Sequence, residues 1–138
     1  MAKVFLMEDE PNISFVVETI LTSEGHNVTA ENNGIAGLAT LARSSKPDIV
    51  LLDLNLPGLS GREIAKKMKA TPEWKDIPII IMSGCMDFSK DFPPKDCYEA
   101  VLTKPFDIME MVSMVNTFTT SNPLLASISP LQAASGKS

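Results

Sequence analysis

The run Ile49-Val50-Leu51-Leu52 leads straight into Asp53-Leu54-Asn55-Leu56-Pro57-Gly58, and this junction decides the fold. Four consecutive apolar residues without alternation suit a strand covered on both faces, the situation of a parallel sheet. Pro57-Gly58 then supplies turn chemistry that ends the extended run. Residues 79–82 (Ile-Ile-Ile-Met) repeat the pattern, residues 4–7 (Val-Phe-Leu-Met) give an earlier strand, 27–30 a weaker one, and 100–102 a short fifth.

Between these runs the apolar period changes to that of a helix. Ile13, Val16, Val17, Ile20 and Leu21 share one helical face, with Asn12 as the expected N-cap and an end near Gly25. Ile35, Leu38 and Leu41, with Ala39 and Ala42, make a second helix that stops by Pro47. Residues 61–70 form a third, closed by Thr71-Pro72, and residues 107–118 a last one on Ile108, Met111, Val112 and Val115. The segment 85–98 contains Pro93-Pro94 and little helical period, so the fourth helix of the series is expected to be short or irregular. Alternating strands and helices imply right-handed βαβ units. Five of them in about 120 residues fit an α/β, flavodoxin-like doubly wound parallel sheet with strand order 2-1-3-4-5. Residues 1–119 are expected to form this one domain, and 120–138, with a single charged residue, a flexible tail or linker.

Composition narrows the function classes. The chain of 138 residues is 44% hydrophobic and 21% charged, ordinary values for a soluble domain. No apolar run approaches the roughly 20 residues of a membrane span, and residues 4–7 are too short for a signal-peptide core. Cys85 and Cys97 lack metal-site spacing and read as reduced thiols of a cytoplasmic protein. A net charge of −5 disfavours nucleic acid as a direct partner. Arg62, Lys66, Lys67 and Lys69 read as a solvated helix face. His26 takes no role, Trp74 packs a loop, and Met109, Met111 and Met114 serve core or interface packing.

In an open parallel sheet, ligands bind beyond the carboxyl ends of the strands where strand order reverses. The residues expected there are Glu8, Asp9 and Glu10 after the first strand, Asp53 after the third, Ser83 after the fourth and Lys104 after the fifth. Clustered carboxylates repel one another unless a cation offsets them, and Mg²⁺ favours hard oxygen ligands. A metal-binding acid cluster, a carboxylate nucleophile, a hydroxyl and an ammonium are the parts needed to receive a phosphoryl group.

Four stretches carry a resemblance: residues 5–11 (Phe-Leu-Met-Glu-Asp-Glu-Pro), 53–61 (Asp-Leu-Asn-Leu-Pro-Gly-Leu-Ser-Gly), 83–84 (Ser-Gly) and 104–106 (Lys-Pro-Phe). In this order they resemble the response-regulator receiver family over roughly residues 2–119. The resemblance implies a two-component phosphoacceptor switch rather than an enzyme acting on a separate substrate. It implies Asp53 as the residue phosphorylated by a sensor histidine kinase or phosphotransfer protein. Mg²⁺ would be bound by Asp9 and Asp53, by Glu8 through water and by the Asn55 backbone carbonyl. Lys104 would contact the phosphoryl oxygens, Ser83 would move to hydrogen-bond them, and the Lys104–Pro105 bond would be cis. A downstream protein target is implied, with the domain a monomer or a phosphorylation-dependent dimer.

The chain departs from the family pattern at Glu8, where aspartate is common, at Gly84, where alanine is common, and at Val101, where many members carry an aromatic that turns inward. Other functions compete less well. A haloacid-dehalogenase-type phosphatase needs a second aspartate where Asn55 stands, and a flavodoxin would meet Glu8-Asp9-Glu10 with its own phosphate. The intact acid pocket argues against a degenerate receiver acting only as an interaction module, while the altered output face at Val101 and Pro93-Pro94 keeps that reading open.

Overall fold

A computed structural model describes residues 2–84 and 92–119. Its sheet comprises β1 (Lys3–Met7), β2 (Asn27–Glu31), β3 (Ile49–Asp53), β4 (Ile79–Ser83) and β5 (Ala100–Thr103). All pairings are parallel and the order is β2-β1-β3-β4-β5, the doubly wound arrangement expected from the sequence. The helices are α1 (Pro11–Ser23), α2 (Gly34–Arg43), α3 (Gly61–Ala70) and α4 (Ile108–Thr119).

Strand side chains alternate between faces, and the two faces collect separate cores. Phe5, Met7, Val50, Leu52, Ile79 and Ile81 pack with Leu41 of α2 and Ile64, Ala65 and Met68 of α3. Val4, Leu6, Ile49, Leu51, Ile80 and Met82 face the other way, onto Val17 and Leu21 of α1 and Met111, Val112 and Val115 of α4. Every residue of β3 and β4 is buried, which is why those strands read as unbroken apolar runs.

The three strands on one side of β1 extend past their apolar stretches. β3 takes in Asp53, β4 Ser83 and β5 Thr103, because backbone pairing continues to the rim after the core has ended. The cap of α1 corrects the expectation: Glu10, not Asn12, is the N-cap, accepting the Asn12 N–H at 3.3 Å. Pro11 fills the first helical position, where its missing N–H costs nothing. Two large residues assigned to apolar helix faces point outward, Val16 at 41% exposure and Ile35 at 65%, and the smaller Ala39 and Ala42 are exposed as well. Met111 is core and Met114 packs against it, while Met109 is exposed.

In the segment expected to be short or irregular, residues 92–99 hold only a 3-10 turn, Lys95–Cys97. The rest of that segment, including Cys85, lies outside the described residues, as does the expected tail at 120–138. Cys97 is a buried free thiol, and burial pushes its pKa up. Trp74 packs against the α2–α3 core from the loop after α3. His26 joins three parts of the chain, its Nδ1 accepting the Ala2 N–H at 3.0 Å and its Nε2 lying 3.0 Å from Asn116 Oδ1 on α4.

Candidate phosphoryl and metal site

The carboxyl ends of β1, β3, β4 and β5 meet at one rim, and their register decides what is there. Met7 lies opposite Leu52 and Asp53 opposite Met82, so Glu8 and Asp9, just beyond β1, stand beside the last residue of β3. Glu8, Asp9 and Asp53 each bring a carboxylate oxygen within 4.8 Å of the others. Glu8 and Asp53 are 2% and 3% exposed, whereas Asp9 faces solvent.

Lys104 enters from the end of β5. Its Nζ lies 2.9 Å from Glu8 Oε1 and 3.3 Å from Asp53 Oδ2. The Lys104 N–H donates to the Ser83 carbonyl at 2.7 Å, and the Lys104–Pro105 bond is cis, as the sequence pattern implied. Ser83 is buried at the end of β4. Asn55 donates its N–H to Asp53 Oδ1 at 3.1 Å, which turns the loop back across the aspartate.

Burial raises the Glu8 carboxyl and Asp53 adds to the effect, against the lowering pull of Lys104 and of the Glu10 N–H. Burial would lower the Lys104 ammonium, but Glu8 and Asp53 outweigh it and hold its pKa above the usual value. Three carboxyl groups therefore meet beside one ammonium.

The donor set fits Mg²⁺. All its members are hard oxygens, with no thiol or imidazole in the cluster. Glu8 Oε1 is fully buried, with the Lys104 ammonium 2.9 Å away.

The sequence pattern singled out the residues that meet here, and it missed the support around them. Glu10 donates its N–H to Glu8 Oε2 at 3.0 Å, and the Glu31 carbonyl accepts the Glu8 N–H at 3.1 Å. An open cleft of about 390 Å³ runs from Glu8 and Asp9 along α1 past Phe15 and Glu18 to Glu31. Phe15 is 70% exposed there. Its position off the apolar stripe of α1 was the one available signal.

The response regulator receiver domain family model matches residues 4–116. The protein PilH of Pseudomonas aeruginosa is 32% identical over 117 residues, covering 84% of this chain and 96% of PilH. The response regulator ArlR of Staphylococcus aureus is 34% identical over 125 residues, 89% of this chain. The chain spans about half the length of ArlR, 55%. Among solved structures, the phosphorylated cyanobacterial phytochrome response regulator RcpA superposes with a TM-score of 0.75 at 29% identity, covering 87% of this chain and 94% of that one. The response regulator TrrA of Thermotoga maritima, in complex with Mg²⁺-BeF, gives 0.74 at 26% identity, covering 86% and 99%.

Proposed function

This chain belongs to the response regulator receiver domain family, and from that membership we propose that it is a Mg²⁺-dependent phosphorylation switch whose acceptor is Asp53. The observation that carries the reading is the meeting of Glu8, Asp9 and Asp53 within 4.8 Å, beside the Lys104 ammonium. The switching unit in this reading is residues 1–119, with 120–138 as a tail or linker.

The donor is a phosphohistidine of a sensor histidine kinase or phosphotransfer protein. An Asp53 carboxylate oxygen attacks phosphorus, the O–P bond forms, and the P–N electron pair leaves with the imidazole, which takes a proton from solvent. Such a transfer needs positioning and charge neutralisation more than covalent help from the protein. Asp9, Asp53, the Asn55 carbonyl and, through water, Glu8 would hold Mg²⁺, which would supply positive charge for the phosphoryl oxygens. Lys104 exchanges its contact with Asp53 for one with a phosphoryl oxygen. Ser83 donates its hydroxyl to another, and its displacement from the end of β4 carries the switch outward. Val101, half-buried on β5, offers no ring to reorient, so the signal passes through the backbone that joins Ser83 to Lys104. Phe15, exposed on the cleft, gives the donor protein an apolar footing next to the acceptor.

Intact-mass measurement after incubation with acetyl phosphate and Mg²⁺ tests the reading. One phosphoryl adduct on wild type is expected, absent in Asp53→Asn and absent when the metal is chelated. An adduct that persists in Asp53→Asn would move the acceptor elsewhere. No adduct on wild type, from acetyl phosphate or from a histidine kinase, would leave a phosphate-independent interaction module.

A further inference from the structure

We infer that Gly34, at the start of α2, is a positioning residue for Mg²⁺ binding, because it seats the loop that carries Asn55; the inference rests on the reading of the site given above. Gly34 has no side chain to offer and touches none of the three carboxylates. Its contribution is the absence of a Cβ. An added Cβ would fall 2.2 Å from the Leu59 carbonyl oxygen, 2.8 Å from Leu59 Cβ and 2.9 Å from Ile64 Cδ1. The first of these is backbone and cannot swing aside, so the loop itself would have to move. Backbone conformation does not call for glycine here, since the only positive-φ glycines among the described residues are Gly25 and Gly58. Close approach is the remaining reason for it.

The approach is held by hydrogen bonds. Gly34 donates its N–H to the Pro57 carbonyl at 3.0 Å, and the same oxygen accepts the Leu59 N–H at 3.1 Å. Gly58 takes a φ of +85° in that turn. At its other end the loop is tied to the acceptor by the Asn55 N–H to Asp53 Oδ1 bond, and near its close by the Gly61 N–H to the Leu54 carbonyl at 3.2 Å. The stretch from Asp53 to Gly61 is thus suspended between the sheet and α2. Pressing on Leu59 from the α2 side shifts the one segment that supplies a backbone ligand. Residues that hold metal ligands in place without touching the metal commonly affect affinity about as much as a weak ligand does.

The test is Mg²⁺ titration of the full chain by calorimetry for wild type, Gly34→Ala and Leu41→Ala. Leu41 is a buried residue at the far end of the same helix, so its truncation controls for lost stability. Gly34→Ala is expected to weaken Mg²⁺ about tenfold, while Leu41→Ala stays within about twofold of wild type. Amide exchange without metal gives a second readout: the Asn55 N–H should exchange faster in Gly34→Ala and unchanged in Leu41→Ala. If Gly34→Ala does not fold, Leu59→Gly, which removes the Leu59 Cβ that packs on Gly34 and loosens the loop backbone there, should show the same two changes to a smaller degree. Phosphorylation by acetyl phosphate at saturating Mg²⁺ should recover in Gly34→Ala. Wild-type affinity and Asn55 exchange in a folded Gly34→Ala would overturn the inference and leave the function intact. A wild type that neither binds Mg²⁺ nor takes up phosphate would overturn the function, and the inference with it.

Discussion

A glutamate with 2% of its surface exposed stands at the rim of this sheet, its carboxylate pressed between an ammonium and a second acid. Removing an anion from water is costly, and one ammonium shared with Asp53 returns only part of that cost. Burial raises the Glu8 pKa, so the stability it contributes is fully present below the ordinary glutamate pKa. That contribution is lost as pH rises through the raised value. Once ionised and without metal, Glu8 therefore works against folding. Glu8→Gln is expected to raise the melting temperature in EDTA by a few degrees at pH above the raised value, with the gain shrinking as pH falls through it. The same change should weaken Mg²⁺ about tenfold, because a neutral amide replaces the anion that reaches the metal through water. Thermal melts across pH, paired with metal titration, check both. A melting temperature that falls in EDTA would mean that the pairing with Lys104 outweighs the burial of the charge.

Among the elements, α2 has the most to lose at its first turn. Asn33 caps it by accepting the Ala36 N–H at 2.8 Å, and the next residue is the glycine seated on Leu59. Asn33→Ala should cost about 1 kcal/mol, lowering the melting temperature by roughly 4–8 °C for a domain of about 100 residues. Circular dichroism melts measure it, and an unchanged midpoint would show that the bond is replaced by water at no cost. Elements such as this were unequally legible in the sequence. β3 and β4 could be read from four apolar residues each, because both faces are covered and nothing interrupts them. α3 was fixed at both ends by Gly61 and Thr71-Pro72. The α1 cap was misplaced by two residues, since Asn12 is a good cap by type and only the proline before it argues otherwise. Ile35 and Val16 looked like core because a periodic pattern records side-chain type and not what lies opposite. The carboxylates, Ser83 and Lys104 were legible because strand ends in a parallel sheet converge. The role given to Gly34 was not, because it depends on a carbonyl oxygen 25 residues away in the chain.

For the whole molecule, the strand order brings together at one point groups that the unfolded chain keeps apart. The cluster is assembled from residues 8, 9 and 53 and is balanced by residue 104. A cation that needs all three carboxylates binds the native state and has little affinity for the unfolded one, so binding adds directly to stability. At about 100 times its dissociation constant, Mg²⁺ should contribute about 2.7 kcal/mol. For a domain of this size, that is a rise in melting temperature on the order of 10 °C over EDTA. Asp9 separates this effect from any general influence of salt. It is exposed, so Asp9→Asn should leave the melting temperature in EDTA within a degree or two of wild type while removing most of the rise with Mg²⁺. Lys66 and Lys67, on the solvated face of α3, provide the matching control. Neutralising them should leave the Mg²⁺ response intact, because exposed charges outside the cluster are largely screened at ordinary ionic strength. Identical melts of wild type with and without Mg²⁺ would mean that the three carboxylates meet without forming a cation site, and that Lys104 alone balances them.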